Sequence, residues 1–528
     1  MSPHRALESL DILEEIFQYY SPANMWEIEN RRDLARAARV CRAFADPALN
    51  VLWRSLEDML PALMLFPSFS ISMVADGNGK DKREISLGEI SQAAWERFLQ
   101  YAKRVRELSL TTTGILSSAP SCVLEQLAQH NNGQALFPCL EELLWIQPLR
   151  SSTGILHLIA PSLQILSIRN EVPTLLIPTI GGEEKDKLGK DEQVFEDVLK
   201  SIFSRVSYLQ TLALTGTFHP LLLVPIGMCK SLREVSISRV SRDVNLQGIK
   251  ALASLPHLVK LLISPPLTIG EITDCKGFPV LEVLNIRSGS SSTAVTRFLS
   301  MILSPSLHEL IASITADVDA QIRPVLSLIA SKFPSLRELQ FGVIHPGVER
   351  ISFSGAFKPV MSLRSLRIAN FGVSSSMSLS AEQLVDAASA WPDVEELSIS
   401  STMLLQGDDP SIDAVHVLTE ISRLCLKLES LNIPYLDYQN PPSVNAHIAG
   451  PGHGLRDLEM SDYSNRTITD HARVAHFLDS VFPQLAIDSA LRMLKWPRQN
   501  ATGTGANWER VLELMKELRR ERELTGEN

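Results

Sequence analysis

One short pattern recurs along most of this chain: an apolar residue, two positions of any type, Leu or Val, any residue, and another apolar residue. Most copies begin 23 to 35 residues after the preceding one, and a single interval is 46 residues. Self-similarity at such a period indicates a repeat architecture, in which each unit packs only against its neighbours and no single core has to grow. The thirteen copies begin at Val105, Leu140, Leu163, Leu209, Leu232, Leu258, Leu281, Leu307, Leu336, Leu363, Val394, Leu428 and Leu455.

Each copy predicts a short strand followed by a helix. The fourth and sixth positions share one face of the strand, and the third, fifth and seventh share the other. Segments of helical period lie between copies, as at 381–390 and 415–426. The pattern resembles the leucine-rich repeat, and we predict such a solenoid over residues 105–490. The resemblance implies an α/β fold with parallel strands on the concave face, helices on the convex face, and a protein ligand on the concave side.

The third position of the repeat is often acidic. Because this position faces the concave side in neighbouring strands, its carboxylates would lie side by side and attract a basic partner. Arginine at the second position, as in Arg106, Arg337 and Arg456, offers an alternative in which the charges are neutralised locally. The candidate partner-binding residues are Glu107, Glu142, Glu234, Glu309, Glu338, Glu396 and Asp457, with Arg367 at the fifth position of its copy.

Residues 1–68 differ from the repeats and predict three short helices. Asp11 and Glu14 have the spacing of a capping box, and Asp46 followed by Pro47 is typical of a helix start. A unit of this size buries too little surface to be comfortably stable alone. It also contains more large apolar residues than one three-helix core can hide, which favours a partner surface.

Three segments of this region, 10–17, 38–44 and 46–53, resemble the F-box, especially its fungal form. The usual Leu-Pro of that family is replaced by Leu10-Asp11 or Leu7-Glu8. The resemblance implies docking on the Skp-type adaptor of a cullin ubiquitin ligase, with a protein target held by the repeats. The adaptor-facing candidates are Leu10, Ile12, Leu13, Ile16, Phe17, Leu34, Val40, Cys41, Phe44, Leu52 and Trp53; the alternative is that about half of them form the core of the module. A repeat scaffold without a ubiquitin role is the alternative function.

The remaining segments connect or close the repeats. Residues 69–104 are predicted to be linking helices and loop, with a loop at 76–84. Gly181–Gln193 is predicted to be a charged insertion in the one long repeat. Residues 491–528 are predicted to contain a helix from Trp508 to Arg522 that caps the end of the solenoid, with a partner-binding tail as the alternative.

The composition argues against several partner classes. A net charge of −10 and a pI near 5.7 disfavour nucleic acid and anionic membrane. The six cysteines are widely separated and form no CxxC pair, so neither a metal site nor a disulfide framework is predicted. The N-terminus has no secretory pattern, and apolar runs fall short of the roughly 20 residues of a membrane span. We therefore expect a cytoplasmic and/or nuclear protein.

Catalytic motifs are weak. Gly182 and Gly189 are too far apart for a phosphate-binding loop, and the spacing of His471 and His476 does not place both on one helix face. Cys41 falls on an apolar helix stripe, which predicts an inert, packed thiol. We therefore predict a protein that is not an enzyme, with no catalytic residue, cofactor or metal.

Overall fold

The structure is a computed structural model of the chain. It divides into two compact units, Met1–Leu258 and Val259–Asn528, which are described separately. The residues that it describes are 9–20, 28–75, 81–110, 121–147, 153–170, 197–216, 220–238, 244–264, 267–268, 276–345, 347, 350–401, 412–433, 436–438, 453–459, 468–495 and 505–525.

The first unit begins with a module of three helices, α1 (Leu10–Gln18), α2 (Ile28–Ala37) and α3 (Arg42–Arg54). Their apolar faces meet in a small core that contains Leu13, Phe17, Leu34, Ala48 and Val51. Two predicted helix starts are wrong, because α1 follows Ser9 rather than Asp11 and α3 follows Cys41 rather than Asp46.

Helix α3 passes directly into the sheet of the first unit. Strand β1 (Ser55–Leu56) pairs in parallel with β4 (Glu107–Leu110). The intervening chain forms α4 (Leu60–Leu63), β2 (Phe69–Ala75), β3 (Asp81–Leu87) and α5 (Gln92–Ala102). Because β2 and β3 pair as an antiparallel hairpin, the prediction of only helices and loop for residues 69–104 is wrong.

The parallel sheet of the first unit continues from β4 through four further strands: β5 (Glu142–Gln147), β6 (Ile165–Asn170), β7 (Thr211–Gly216) and β8 (Glu234–Ser238). The helical segments between and after them are α6 (Ser121–His130), the 3-10 turn Thr153–His157, α7 (197–205), the 3-10 helix Pro220–Met228 and, after β9 (Val244–Asn245), α8 (Leu246–Ala253). The predicted insertion Gly181–Gln193 lies outside the described residues.

The second unit has the same design. Its parallel sheet contains β10 (Lys260–Ile263), β12 (Val283–Ser291), β13 (Glu309–Thr315), β14 (Glu338–Ile344), β16 (Ile368–Val373), β18 (Glu396–Ser401), β20 (Ser430–Asn432) and β22 (Asp457–Glu459). The helices that follow these strands are α9 (Ser292–Met301), α10 (Asp319–Lys332), α11 (Phe353–Phe357), the 3-10 turn Lys358–Ser362, α12 (Ala381–Ala390) and α13 (Ala414–Leu424). The unit also has five two-residue strands: β11 (Leu267–Thr268), β15 (Ile351–Ser352), β17 (Met377–Ser378), β19 (Ile412–Asp413) and β21 (Leu436–Asp437). Of these, β15, β17 and β19 lie just before a helix.

Burial along the strands follows the predicted alternation. In β13, Leu310, Ala312 and Ile314 are buried, whereas Glu309 and Ile311 remain partly accessible on the other face. Hydrophobic burial of the fourth and sixth positions therefore holds each strand against its helix. Both units have the α/β leucine-rich-repeat fold, with parallel strands and intervening helices.

At two of the copies that begin with Ser-Leu, the serine side chain links successive repeats. The Ser162 hydroxyl donates to the Leu140 carbonyl at 2.8 Å, and the Ser231 hydroxyl donates to the Leu209 carbonyl at the same distance. Each bond satisfies a carbonyl of the preceding repeat, which a leucine at that position would leave bare.

One repeat was placed in the wrong register. The strand begins at Ile368 rather than at the predicted Ser365, so the copy starts at Leu366 and not at Leu363. The buried fourth position is occupied by Ala369 instead of the expected Leu or Val. Phe371 at the sixth position is buried, and its ring stacks on Trp391 with centroids 5.6 Å apart.

Three helices close the described part of the second unit: α14 (His471–Val481), α15 (Ile487–Lys495) and α16 (Gly505–Thr525). Helix α16 packs against α14 and α15 and buries Trp508, Val511, Leu512 and Met515. The predicted apolar face of this helix is thus used inside the second unit.

Candidate functional site

The outer surface of α1 carries exposed apolar side chains. Ile12 is 43% exposed, Ile16 is 41% exposed, and Tyr19 is 85% exposed. Tyr20, at 41%, lies one turn beyond Ile16. Since residues four apart share a helix face, these side chains form one continuous strip, which we call the α1 strip. Leu10, 55% exposed, stands at the start of the same helix.

Three of the predicted adaptor-facing residues point inwards instead. Leu13 is 1%, Phe17 is 6% and Leu34 is 1% exposed. They form the core of the module together with Ala48 and Val51, and they leave no surface for a partner.

Three further candidates are partly buried at the edges of that core. Phe44 packs edge-on against Phe17 with ring centroids 5.5 Å apart, and Leu52 packs against the core. The Trp53 ring lies against Tyr101 of α5 at 4.5 Å. Trp53 therefore holds α3 against α5.

The turn between α2 and α3 is accessible. Val40 is 68% exposed, and Cys41 is exposed at the start of α3. The prediction of a packed, inert Cys41 is wrong, because α2 ends at Ala37 and the predicted stripe does not reach the cysteine.

In the first unit the acidic third positions are partly neutralised. The register places Glu107 beside Glu142, and burial and the Glu107 charge raise the pKa of Glu142. However, Arg54 lies 3.4 Å from the Glu107 carboxylate. Glu234 is exposed at the start of β8.

In the second unit Glu309 and Glu338 occupy adjacent strands in direct register, and Glu396 lies two strands further on. We call these three residues the acidic row. Among the described residues, no Lys or Arg forms an ion pair with Glu309 or Glu338. Burial, followed by the charge of Glu309, raises the pKa of Glu338, and His308 supplies a charge that lowers it. The fourth acidic candidate in this unit, Asp457, is exposed at the start of β22.

The arginines at the second position do not neutralise the acidic row. Arg367 lies 3.6 Å from Glu395, and Arg456 lies 4.0 Å from Glu429; both acceptors are second-position carboxylates of the neighbouring strand. The placement of Arg367 at a concave fifth position is wrong, because the corrected register moves it to the residue before β16. Asn370 takes the fifth position and donates to the Glu396 carboxylate at 2.7 Å.

A recess of about 320 Å³ lies on the concave face beside the acidic row. Its floor is the aligned series Ser313, Gly342, Gly372 and Ser400, one residue from each of four adjacent strands. The sequence did not predict the recess, because Gly372 falls at the seventh position only in the corrected register of its repeat. Small residues there leave the sheet backbone uncovered.

Two of the cysteine thiols are buried. Burial raises the pKa of the Cys229 thiol to about 11 and that of the Cys425 thiol to about 12, so both stay protonated near neutral pH. Among the described residues, no group of three or more His, Cys, Asp or Glu side chains is arranged to hold a metal ion. No helix in the described part of the chain is long and apolar enough to cross a membrane.

No protein-family model matches the chain, and no curated protein matches it in sequence. Solved structures with a similar arrangement include an internalin of Listeria monocytogenes, at 15% identity over 74% of this chain and 82% of that chain, with a TM-score of 0.33. A structure of the yeast Rad7 and Elc1 complex matches at 15% identity over 70% of this chain and 82% of that chain, with a TM-score of 0.31. A leucine-rich-repeat protein of Leptospira interrogans matches at 17% identity over 74% and 91%, with a TM-score of 0.32. At these TM-scores the likeness carries no argument, and the fold follows from the repeat and its strand register.

Proposed function

We propose that this chain is the substrate-recognition subunit of a ubiquitin ligase of the Skp–cullin–F-box type. The N-terminal module would bind the Skp-type adaptor, and the concave face would bind a protein target. The observation that carries the proposal is the α1 strip: the module has a filled core, yet it leaves Ile12, Ile16 and Tyr19 in solvent.

An exposed apolar strip of this kind favours a protein partner. Contiguous apolar surface is costly in water and is typical of interaction sites. Tyrosine is enriched at such interfaces because its ring buries a large area while its hydroxyl keeps a polar contact. Leu10 and Val40 add exposed apolar surface to the same module, and Cys41 is accessible beside Val40.

The second half of the proposal concerns the target. A concave sheet face with acidic third positions would hold a protein segment, and the candidate contacts are Glu107, Glu142, Glu234, Glu309, Glu338, Glu396 and Asp457. The chain would perform no chemistry itself. By holding the target near a charged ubiquitin-conjugating enzyme, it would replace a bimolecular encounter with a reaction inside one complex.

The test is a pull-down of purified Skp-type adaptor by the full-length chain. The double variant Ile12→Asp/Ile16→Asp places two charges in the α1 strip without touching the module core, and it should abolish adaptor capture. Val224→Asp is the matched control, because Val224 is also an exposed aliphatic residue, at 46%, but lies in the 3-10 helix Pro220–Met228. All proteins are compared by circular dichroism.

Capture by the wild type and by Val224→Asp, but not by the double variant, would support the proposal. If the wild type does not capture the adaptor, or if the double variant captures it equally well, the chain is better described as a repeat scaffold without a ubiquitin role.

A further inference from the structure

We infer that the acidic row and the adjoining recess of the second unit form one site for an extended peptide segment with an arginine or lysine side chain. The inference deepens the proposed function and rests on its assignment of the concave face to the target. It names the chemistry of the target segment and the residues that would read it.

The first step is charge. Glu309 and Glu338 stand in direct register on adjacent strands, about 5 Å apart by the spacing of strands in a sheet. Like charges that face each other across strands destabilise a sheet. The charge of His308 opposes theirs at Glu338, but no Lys or Arg among the described residues forms an ion pair with either carboxylate. A basic side chain placed over Glu338 would relieve this repulsion and would lower the pKa of that carboxyl group.

The second step is space. The recess begins at the fifth positions, Gln340 and Asn370, and reaches the seventh positions, Gly342 and Gly372. Four strands at a spacing of about 4.8 Å give a trough of roughly 14 Å, which matches four residues of extended chain. The two glycines lower the floor, and the side chains of Gln340 and Asn370 line the recess beside it.

The third step is the relation between the two parts. The acidic row and the floor are separated by four residues along each strand, for example from Glu338 to Gly342. A segment that crosses the strands over Gln340 and Asn370, at the near end of the recess, has Glu338 two residues, or about 7 Å, to one side, which a long basic side chain can reach. Arg287 also lines the recess. It lies four residues after Val283, the third-position residue of its strand, and is therefore level with the floor of the recess rather than with the acidic row.

The experiment uses the full-length chain and a pool of heptapeptides with arginine fixed at the centre and all other positions randomised. A second pool has citrulline at the centre, which keeps the shape of arginine but removes its charge. Bound peptides are quantified by mass spectrometry at low and high salt. The wild type should retain the arginine pool about tenfold better than the citrulline pool, and high salt should reduce this preference.

Two variants address the two parts of the site. Glu338→Gln removes the central charge of the acidic row and should abolish the preference for arginine. Gly342→Phe fills the recess and should reduce retention of both pools. A Cβ at Gly342 would lie 3.4 Å from the Ser313 Cβ, an ordinary contact, so the larger side chain can extend into the recess without displacing the backbone. Thermal denaturation checks that each variant is folded.

Glu382→Gln is the matched control, since it removes the same charge from the exposed surface of α12. The inference is overturned if the wild type retains neither pool, if it retains both pools equally, or if Glu382→Gln acts like Glu338→Gln. It is also overturned if Gly342→Phe is folded and binds like the wild type. Adaptor capture is measured on the same variants, so that a failure of peptide binding with intact adaptor binding removes this inference alone.

Discussion

The ion pairs that fix the last helix permit a quantitative prediction. The Asp479 side chain of α14 is only 5% exposed, and its carboxylate accepts from Arg519 Nε at 2.8 Å and pairs with Arg522. Arg519 also donates to the carbonyls of Leu485, at 2.8 Å, and Phe482, at 3.4 Å. One guanidinium group therefore ties α16 to the end of α14 and to the segment that follows it.

Replacing Asp479 with alanine would leave Arg519 without its counter-charge in a site where burial already lowers the pKa of this arginine. Breaking a fully buried pair costs about 3–5 kcal/mol. The Arg519 side chain is 26% exposed and the Arg522 side chain is 44% exposed. Solvent can therefore hydrate both guanidinium groups and offset part of the lost ion-pair energy. We expect a cost of about 2–3 kcal/mol to the docking of α16.

The assay is hydrogen exchange with mass spectrometry on peptides from 505–525. If α16 undocks locally, a loss of about 2–3 kcal/mol raises its exchange rate roughly 30- to 150-fold, because each 1.4 kcal/mol is a factor of ten. Asp488→Ala is the control: it also removes a partner of α16, Lys516 at 2.8 Å, but its carboxylate is 75% exposed, and little change is expected.

Equal exchange in α16 for Asp479→Ala and Asp488→Ala would refute this reasoning. A second check is the double variant Asp479→Leu/Arg519→Met, which removes the two most buried charges. It should recover part of the lost protection, because Arg522 is left unpaired but 44% exposed.

Three further predictions concern single side chains. Glu338→Gln should raise the free energy of unfolding at pH 7 by at most about 0.5 kcal/mol and leave it unchanged at pH 4, as measured by denaturation at both pH values. The reason is that the pKa of Glu338 is raised in the folded protein, so stability is lost as the pH rises through that pKa. An effect seen only at pH 4 would contradict the sign. Iodoacetamide at neutral pH should modify exposed Cys41 and spare Cys229 and Cys425 in the native protein, which peptide mapping will show, and equal labelling of all three would disprove their burial. Gly289→Ala should lower the free energy of unfolding in urea by about 1–2 kcal/mol, because φ is +59° and the new Cβ would lie 2.8 Å from the nearest side chain; an unchanged midpoint would show that the turn adapts.

Much of the fold could be predicted because the repeat imposes a strict physical rule. Leucine at the fourth position is buried in copy after copy, and twelve of the thirteen predicted third positions are the first residue of a strand. The exception arises because the register from Leu363 has Leu366 at the fourth position, as the pattern requires, whereas the true register from Leu366 has Ala369 there. Packing of Ala369 and Phe371 decides between them, and packing is a property of the folded chain.

Other elements could not be predicted from the local sequence. Strand β3 begins with Asp-Lys-Arg-Glu, which reads as a solvated loop, and only its pairing with β2 reveals a strand. Likewise, the apolar residues of α1 follow one periodic pattern, and the division between the core residues Leu13 and Phe17 and the exposed Ile12 and Ile16 depends on how α2 and α3 pack against the helix. The acidic row was visible in the sequence, whereas the recess required the alignment of four strands.

The direct passage from α3 into β1 affects how the chain can be divided. The Arg106 amide donates to the Arg54 carbonyl at 2.8 Å, and Ser55 pairs with Glu107, so the end of the module supplies the outer edge of the sheet. A fragment that begins at Phe69 would leave β4 as a bare edge, open to pairing with other chains. A chimaera that receives a different N-terminal module should therefore keep Ser55 and Leu56, and shortened versions of this protein would best be cut within the module rather than after it.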